Sequence, residues 1–118
     1  MTTDIVFAER PGYLLVEARC PWTLDNARRL IDTTRSEAER RGHQRILIDL
    51  RQWSSPDFEM TRFWSGEHLA AVMTGDFKIA AFADLEHVNY FGENTAVNRG
   101  AWFAIFPDEA GALDWLLV

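Results

Sequence analysis

With 118 residues, 47% of them hydrophobic and 25% charged, the chain has material for one ordinary core and lacks the composition of a disordered segment. Its formal charge of -6 argues against a phosphate-backbone partner, and no apolar run approaches the roughly 20 residues of a membrane span. Cys20 is the only cysteine and MTTDIVFAERPG has no signal-peptide pattern, so a reduced, cytoplasmic protein forming a single domain over residues 1–118 is expected, with Cys20 as a small buried hydrophobe.

In chain order, TDIVFAE (3–9) and YLLVEARC (13–20) are β-prone runs separated by Arg10, Pro11 and Gly12, residues suited to a tight turn. They predict an antiparallel hairpin. Pro21 closes the second run, and Thr23 stands where a helix N-cap belongs. Leu24, Ala27, Ile31, Thr34 and Ala38 then recur at spacings of three and four, the stripe of a helix that Gly42 stops. The arginines of this segment (Arg28, Arg29, Arg35, Arg40, Arg41) are interleaved with Asp32, Glu37 and Glu39, which reads as a solvated face.

RILIDL (45–50) is apolar on both faces except at Asp49, the signature of a strand covered on both sides. After Pro56, FEMTRFWSGEHLAAVM (58–73) reads as a second helix with two apolar arcs. Met60, Phe63, Trp64 and Ala71 lie on one, and Phe58, Leu69 and Met73 lie nearly opposite. One arc packs on the sheet, and the other is left for an extra element or a partner. FKIAAFAD (77–84) and AWFAIF (101–106) are further buried strands. Between them Gly92 and several asparagines dilute any helical pattern over 86–98, leaving helix and lid both open. Pro107 and Asp108 open a final helix with Asp108 as N-cap and Leu113, Leu116 and Leu117 as core residues.

The order β-β-α-β-α-β-(α)-β-α predicts an α/β sandwich of two or three layers. At its centre is a mixed, mainly parallel five-stranded sheet with an N-terminal β-hairpin and three to four helices. Ligands of open sheets sit outside the carboxyl ends of the strands, where Asp49 and Asp84 both fall. Trp53, Phe63, Trp64, Tyr90 and Phe91 are the residues expected to line a groove or an interface there, with the two aspartates as its polar groups.

Three chemistries are weighed at that edge. A phosphoryl-accepting receiver site would need an acidic pair closing the first parallel strand and a lysine closing the last, where the chain has ARCPW and FAIFPDEA. A serine hydrolase would use Ser54 or Ser55 with His68 or His87 as base and Asp49 or Asp84 as orienter, but no G-x-S-x-G elbow is present and Ser-Ser-Pro has turn chemistry. His43, His68 and His87 read as surface residues rather than a chelating set, so neither metal nor cofactor is expected. The aromatic residues leave three readings open: a binding groove, completion of an ordinary core, or the contact of a homodimer.

The strand ILIDLRQW running into the second helix, the buried FKIAAFAD and the ending WFAIFPDEAGALDWLL together resemble the STAS superfamily. More narrowly the chain is similar to its SpoIIAA-like branch, which is also grouped with Sec14-type lipid-binding folds. The resemblance runs from Tyr13 to Leu117 and implies a small non-catalytic domain that binds a protein partner or a small apolar ligand, with homodimerisation an option. In the anti-sigma-factor antagonists of that superfamily a serine at the start of the second helix is phosphorylated. By this resemblance Ser54 or Ser55, in QWSSPDFEMT, would be the acceptor or part of a contact loop. An apolar or lipid-like ligand carrier is the alternative function, and a serine hydrolase ranks last.

Overall fold

The structure is a computed structural model of the chain and describes residues 4–53, 57–84 and 101–118. Strands β1 (Ile5–Arg10) and β2 (Tyr13–Ala18) form the expected hairpin, with Gly12 in the left-handed region (φ 86°) at its turn. Helix α1 (Leu24–Arg41) follows. The Thr23 side chain accepts a hydrogen bond from the Asn26 N–H, and Gly42, at φ 75°, donates its N–H to the Ala38 and Glu39 carbonyls. Then come β3 (Arg45–Asp49), α2 (Glu59–Val72), β4 (Lys78–Phe82), β5 (Trp102–Phe106) and a last helix, here α3 (Glu109–Leu116), whose N-cap Asp108 accepts from the Gly111 N–H.

The five strands lie side by side in sequence order, β1 antiparallel to β2 and all others parallel. Parallel strands that step always in one direction through right-handed crossovers place their helices on one face, and α1 and α2 do share a face. Alternation along the strands sorts the core into two layers. Leu14, Val16, Ile46, Ile48, Ile79 and Ala81 meet Ala27, Leu30, Ile31 and Ala38 of α1 and Leu69 and Ala70 of α2. Leu47, Ala80 and Phe82 point the other way, onto Ala112 and Leu116 of α3. The fold is therefore a three-layer sandwich, α1 and α2 over the sheet and α3 beneath it. Leu117, expected in the core, is instead 42% exposed, because α3 ends at Leu116 and Leu117 serves as its C-cap.

α3 is held by a lysine. Lys78 opens β4, is only 6% exposed, and donates from Nζ to the Trp115 carbonyl (2.7 Å) and to Val118 O (3.2 Å). The ammonium also lies 4.6 Å from the ring centre of Trp115 and 5.0 Å from that of Trp102. A cation at the carbonyl end of a helix meets the negative pole of its dipole, and two ring faces replace the water it has lost. Replacing Lys78 by Ala should cost about 2–4 kcal/mol, the sum of charge-assisted hydrogen bonds and cation–π contacts. Lys78→Met, which keeps the aliphatic stem, should recover part of that loss. Urea unfolding of both variants checks this, and a change below about 0.5 kcal/mol for the alanine variant would contradict it.

Candidate functional site

The carboxyl ends of β2, β3 and β4 form one edge of the sheet, and the segment leaving β3 is bound back onto it. Asp49, the last residue of β3, is buried and accepts three hydrogen bonds from one residue: the Arg51 backbone N–H (3.0 Å), Nε (3.0 Å) and Nη2 (2.8 Å). The backbone bond makes an Asx-turn, the expected use of an aspartate where a strand reverses. The Arg51 guanidinium lies over the Phe82 ring, 5.1 Å from its centre. Alongside, Glu17 of β2 accepts from Arg19 Nε and Gln52 Nε2, both at 2.8 Å, tying the end of β2 to the same turn. Burial pushes the Asp49 carboxyl toward the neutral form, but its hydrogen bonds and charge contact with Arg51 outweigh that and hold its pKa below the usual carboxylate value.

Beyond this turn Trp53 is buried and stacks on Trp22, with ring centres 4.8 Å apart and planes at 26°. Trp22 precedes the N-cap of α1, so the stack joins the start of α1 to the exit from β3. Trp22 donates from its indole nitrogen to Ser65 Oγ of α2 (3.2 Å), and its carbonyl accepts the Asp57 N–H (3.1 Å). The Arg62 guanidinium covers the Trp22 ring at 4.9 Å and reaches Glu59 at 3.5 Å. Asp57 in turn accepts from the Phe58 N–H and from the Thr61 hydroxyl at the start of α2. The N-cap position of α2 is Phe58, which makes no side-chain cap bond, and Asp57 supplies a polar contact at this helix start.

α2 turns its Leu69 and Met73 arc inward and its Met60, Trp64 and Ala71 arc to solvent. Phe63, between the two, is half-buried. Phe58 belongs by helical angle to the inward arc, but its backbone is extended, ahead of the helix, and it stands 69% exposed. Met60 and Trp64 are 45% and 42% exposed. Asp84 is exposed just past β4. The structure thus brings Asp49 and Trp53 to one edge but separates buried Trp53 from outward Trp64. Ser54, Ser55, His87, Tyr90, Phe91 and the rest of the 86–98 segment lie outside the described residues.

The histidines that are described have partners of their own. His68 bonds Asp32 of α1 at 2.8 Å, linking the two helices, and His43 bonds Glu9 at 3.0 Å. Both side chains are partly covered rather than fully on the surface. Among the described residues no group of three or more His, Cys, Asp or Glu side chains is placed to hold a metal ion, and no helix is long and apolar enough to cross a membrane.

Trp22, Arg51 and Arg62 had no place in the sequence-based site. Arg62 does carry a signal, since it shares the arc of Leu69 and Met73, and a charge on an apolar arc must find a buried partner. Nothing in the sequence names Trp22 as that partner, because the contact crosses 40 residues of chain.

No family model matches the chain, and no curated protein sequence matches it. Among solved structures it is similar to an uncharacterised protein of the DUF3478 family with a SpoIIAA-like fold from Shewanella loihica PV-4. The two superpose with a TM-score of 0.54 over 98% of each chain at 20% sequence identity. The fold, with its antiparallel first strand and parallel remainder, is SpoIIAA-like.

Two predictions follow from the geometry of this edge. Trp53→Ala should destabilise the domain by about 3–5 kcal/mol, the range for removing a buried tryptophan, as measured by chemical denaturation. The second concerns acid. Because the folded pKa of Asp49 lies below its unfolded value, its contribution is complete above about pH 4 and is lost as the pH falls through the folded value. Asp49→Asn should therefore unfold at lower stability near neutral pH and show a shallower loss of stability below about pH 4 than the parent chain. Parallel acid limbs for the two proteins would remove Asp49 from the account.

Proposed function

We propose that the chain is a non-catalytic domain that works by docking a protein on the outer arc of α2. The observation that carries this reading is the exposure of Phe58, Met60 and Trp64 together at the start of one helix. Single exposed apolar residues are ordinary on any surface. Three large ones within seven residues, Met60 and Trp64 on one arc with Ala71 and Phe58 just ahead of the helix, are more than scattered exposure and support a contact site.

The neighbouring polar groups favour binding over chemistry. Asp49 is engaged by Arg51, and His68 by Asp32 of α1, so His68 and Asp49 do not form the base–orienter pair considered for a serine hydrolase. The resemblance to anti-sigma-factor antagonists adds a regulatory reading. A phosphate on Ser54 or Ser55 would put negative charge three or four residues before Phe58 in the sequence. Carriage of an apolar ligand ranks second, because Trp53 is packed against Trp22 and does not share a surface with Trp64.

Replacing Met60 and Trp64 together by Ser should leave the unfolding free energy within about 0.5 kcal/mol of the parent, as for other surface positions. The same variant should lose the protein that the parent chain retains on purification from its own host. Native mass spectrometry of the parent provides the decisive contrast: a bound small apolar molecule and no bound protein would reverse the order of the two readings.

A further inference from the structure

Strand β1 ends the sheet, and its outer edge is regular. Its six residues pair with β2 without a bulge, and Asp4 continues the register, its carbonyl accepting the Arg19 N–H at 2.7 Å. Bonded residues alternate along an antiparallel pair, so Asp4, Val6, Ala8 and Arg10 turn their peptide groups to β2 while Ile5, Phe7 and Glu9 turn theirs outward. Among the described residues, the one bond made to those outward groups runs from Arg10 Nη1 to the Glu9 carbonyl, 3.2 Å long and exposed. Ile5 and Phe7 keep their side chains in the core under α1, so what they offer at the edge is backbone. Such a row is commonly guarded by a bulge, a proline or a charge. Here Pro11 comes only after the strand, and Ile5, Val6, Phe7 and Ala8 carry no charge.

Independently of the docking reading for α2, we propose that this edge is closed by β1 of a second copy of the chain, antiparallel about a two-fold axis at Phe7, so that the two sheets become one. Outward N–H and C=O groups select an extended strand, and the register selects which one. Centred on Phe7, the pairing sets Phe7 against its own image and Ile5 against Glu9 in both directions. Every outward group is then used, in about six hydrogen bonds. Centring on Ala8 would bring Pro11, which has no N–H, opposite Ile5, and centring on Val6 would carry Glu9 past the end of the other strand. The Phe7 register also sets half-buried Val6 against half-buried Ala8 on the opposite face from α1, where α3 rests on β3, β4 and β5 and leaves the hairpin uncovered. Charge does not oppose the contact. The acids of this edge are held within their own chain, Asp4 by Arg29 and Glu9 by His43, and Arg10 falls opposite Asp4 of the second copy rather than another arginine. Each copy uses the edge once, so the assembly closes at two. A strip about 20 Å long is short of the roughly 800 Å² per partner of a standard interface, so the dimer dissociates in the micromolar range or above.

Two single-cysteine chains test the register: Val6→Cys and Ala8→Cys, each with Cys20→Ala. In the proposed dimer these positions face each other as a non-bonded pair, about 4.5 Å apart at Cα and within disulfide reach. Each cysteine lies about 8 Å from its own image, outside that reach. Oxidation with copper phenanthroline should therefore cross-link the mixture, and either chain alone at least about tenfold less. Failure of the mixture to cross-link, or equal cross-linking of each chain alone, overturns the proposal. Sedimentation equilibrium supplies the second arm. The parent should dimerise at concentrations up to about 100 µM, and Ala8→Lys, with its fold checked by urea unfolding, should dimerise about tenfold or more weakly. A parent that stays monomeric, or a folded Ala8→Lys chain that associates as the parent does, also overturns it.

Discussion

Strands β3 and β4 are apolar on both faces, and that one constraint organises the molecule. Ile46, Ile48, Ile79 and Ala81 project one way while Leu47, Ala80 and Phe82 project the other, so the sheet must be covered twice. Right-handed crossovers deliver α1 and α2 to the same side, which leaves the opposite face to whatever follows β5. α3 is only eight residues long, and it covers Leu47, Ala80 and Phe82 with Ala112 and Leu116. Lys78 is the device that fixes so short a helix in place, by joining the strand it covers to its own carbonyl end.

The same economy holds at the carboxyl edge of the sheet. Polar side chains there serve the chain itself: Asp49 holds Arg51, Glu17 holds Gln52 and Arg19, and Asp57 holds the start of α2. The aromatic residues divide into two sets with different work. Trp22 and Trp53 close the gap between α1 and the loop leaving β3, with Arg62 on the outer ring face. Phe58, Met60 and Trp64 present much of their surface to solvent. Polar groups that are internally engaged beside apolar groups that are exposed are the physical ground for the binding role proposed above.

Much of this was legible in the chain because it depends on local pattern. Thr23, Gly42 and Asp108 announce helix ends through hydrogen bonds and a left-handed φ that need no distant partner. The alternation in RILIDL and FKIAAFAD records burial on two faces in the same local way. The two apolar arcs of α2 were equally visible, but not which of them would turn inward. Leu69 and Met73 won that place over Met60 and Trp64 because α2 must lie beside α1 on the sheet, and only the tertiary packing sets that rotation. Leu117 failed as a core residue for a related reason: periodicity does not reveal that the helix stops one residue earlier.

By itself, then, the sequence determined the order of the elements, their caps and the two-faced core, since each follows from residues within a turn or two of one another. It also determined that Asp49 would close a central strand. Only the tertiary structure decided what Asp49 does there, which is to form an Asx-turn and pair its buried carboxylate with the exposed Arg51 guanidinium over Phe82. It alone set Trp22 on Trp53 and Lys78 between two tryptophans, because those contacts join segments far apart in the chain, and no local spacing encodes them.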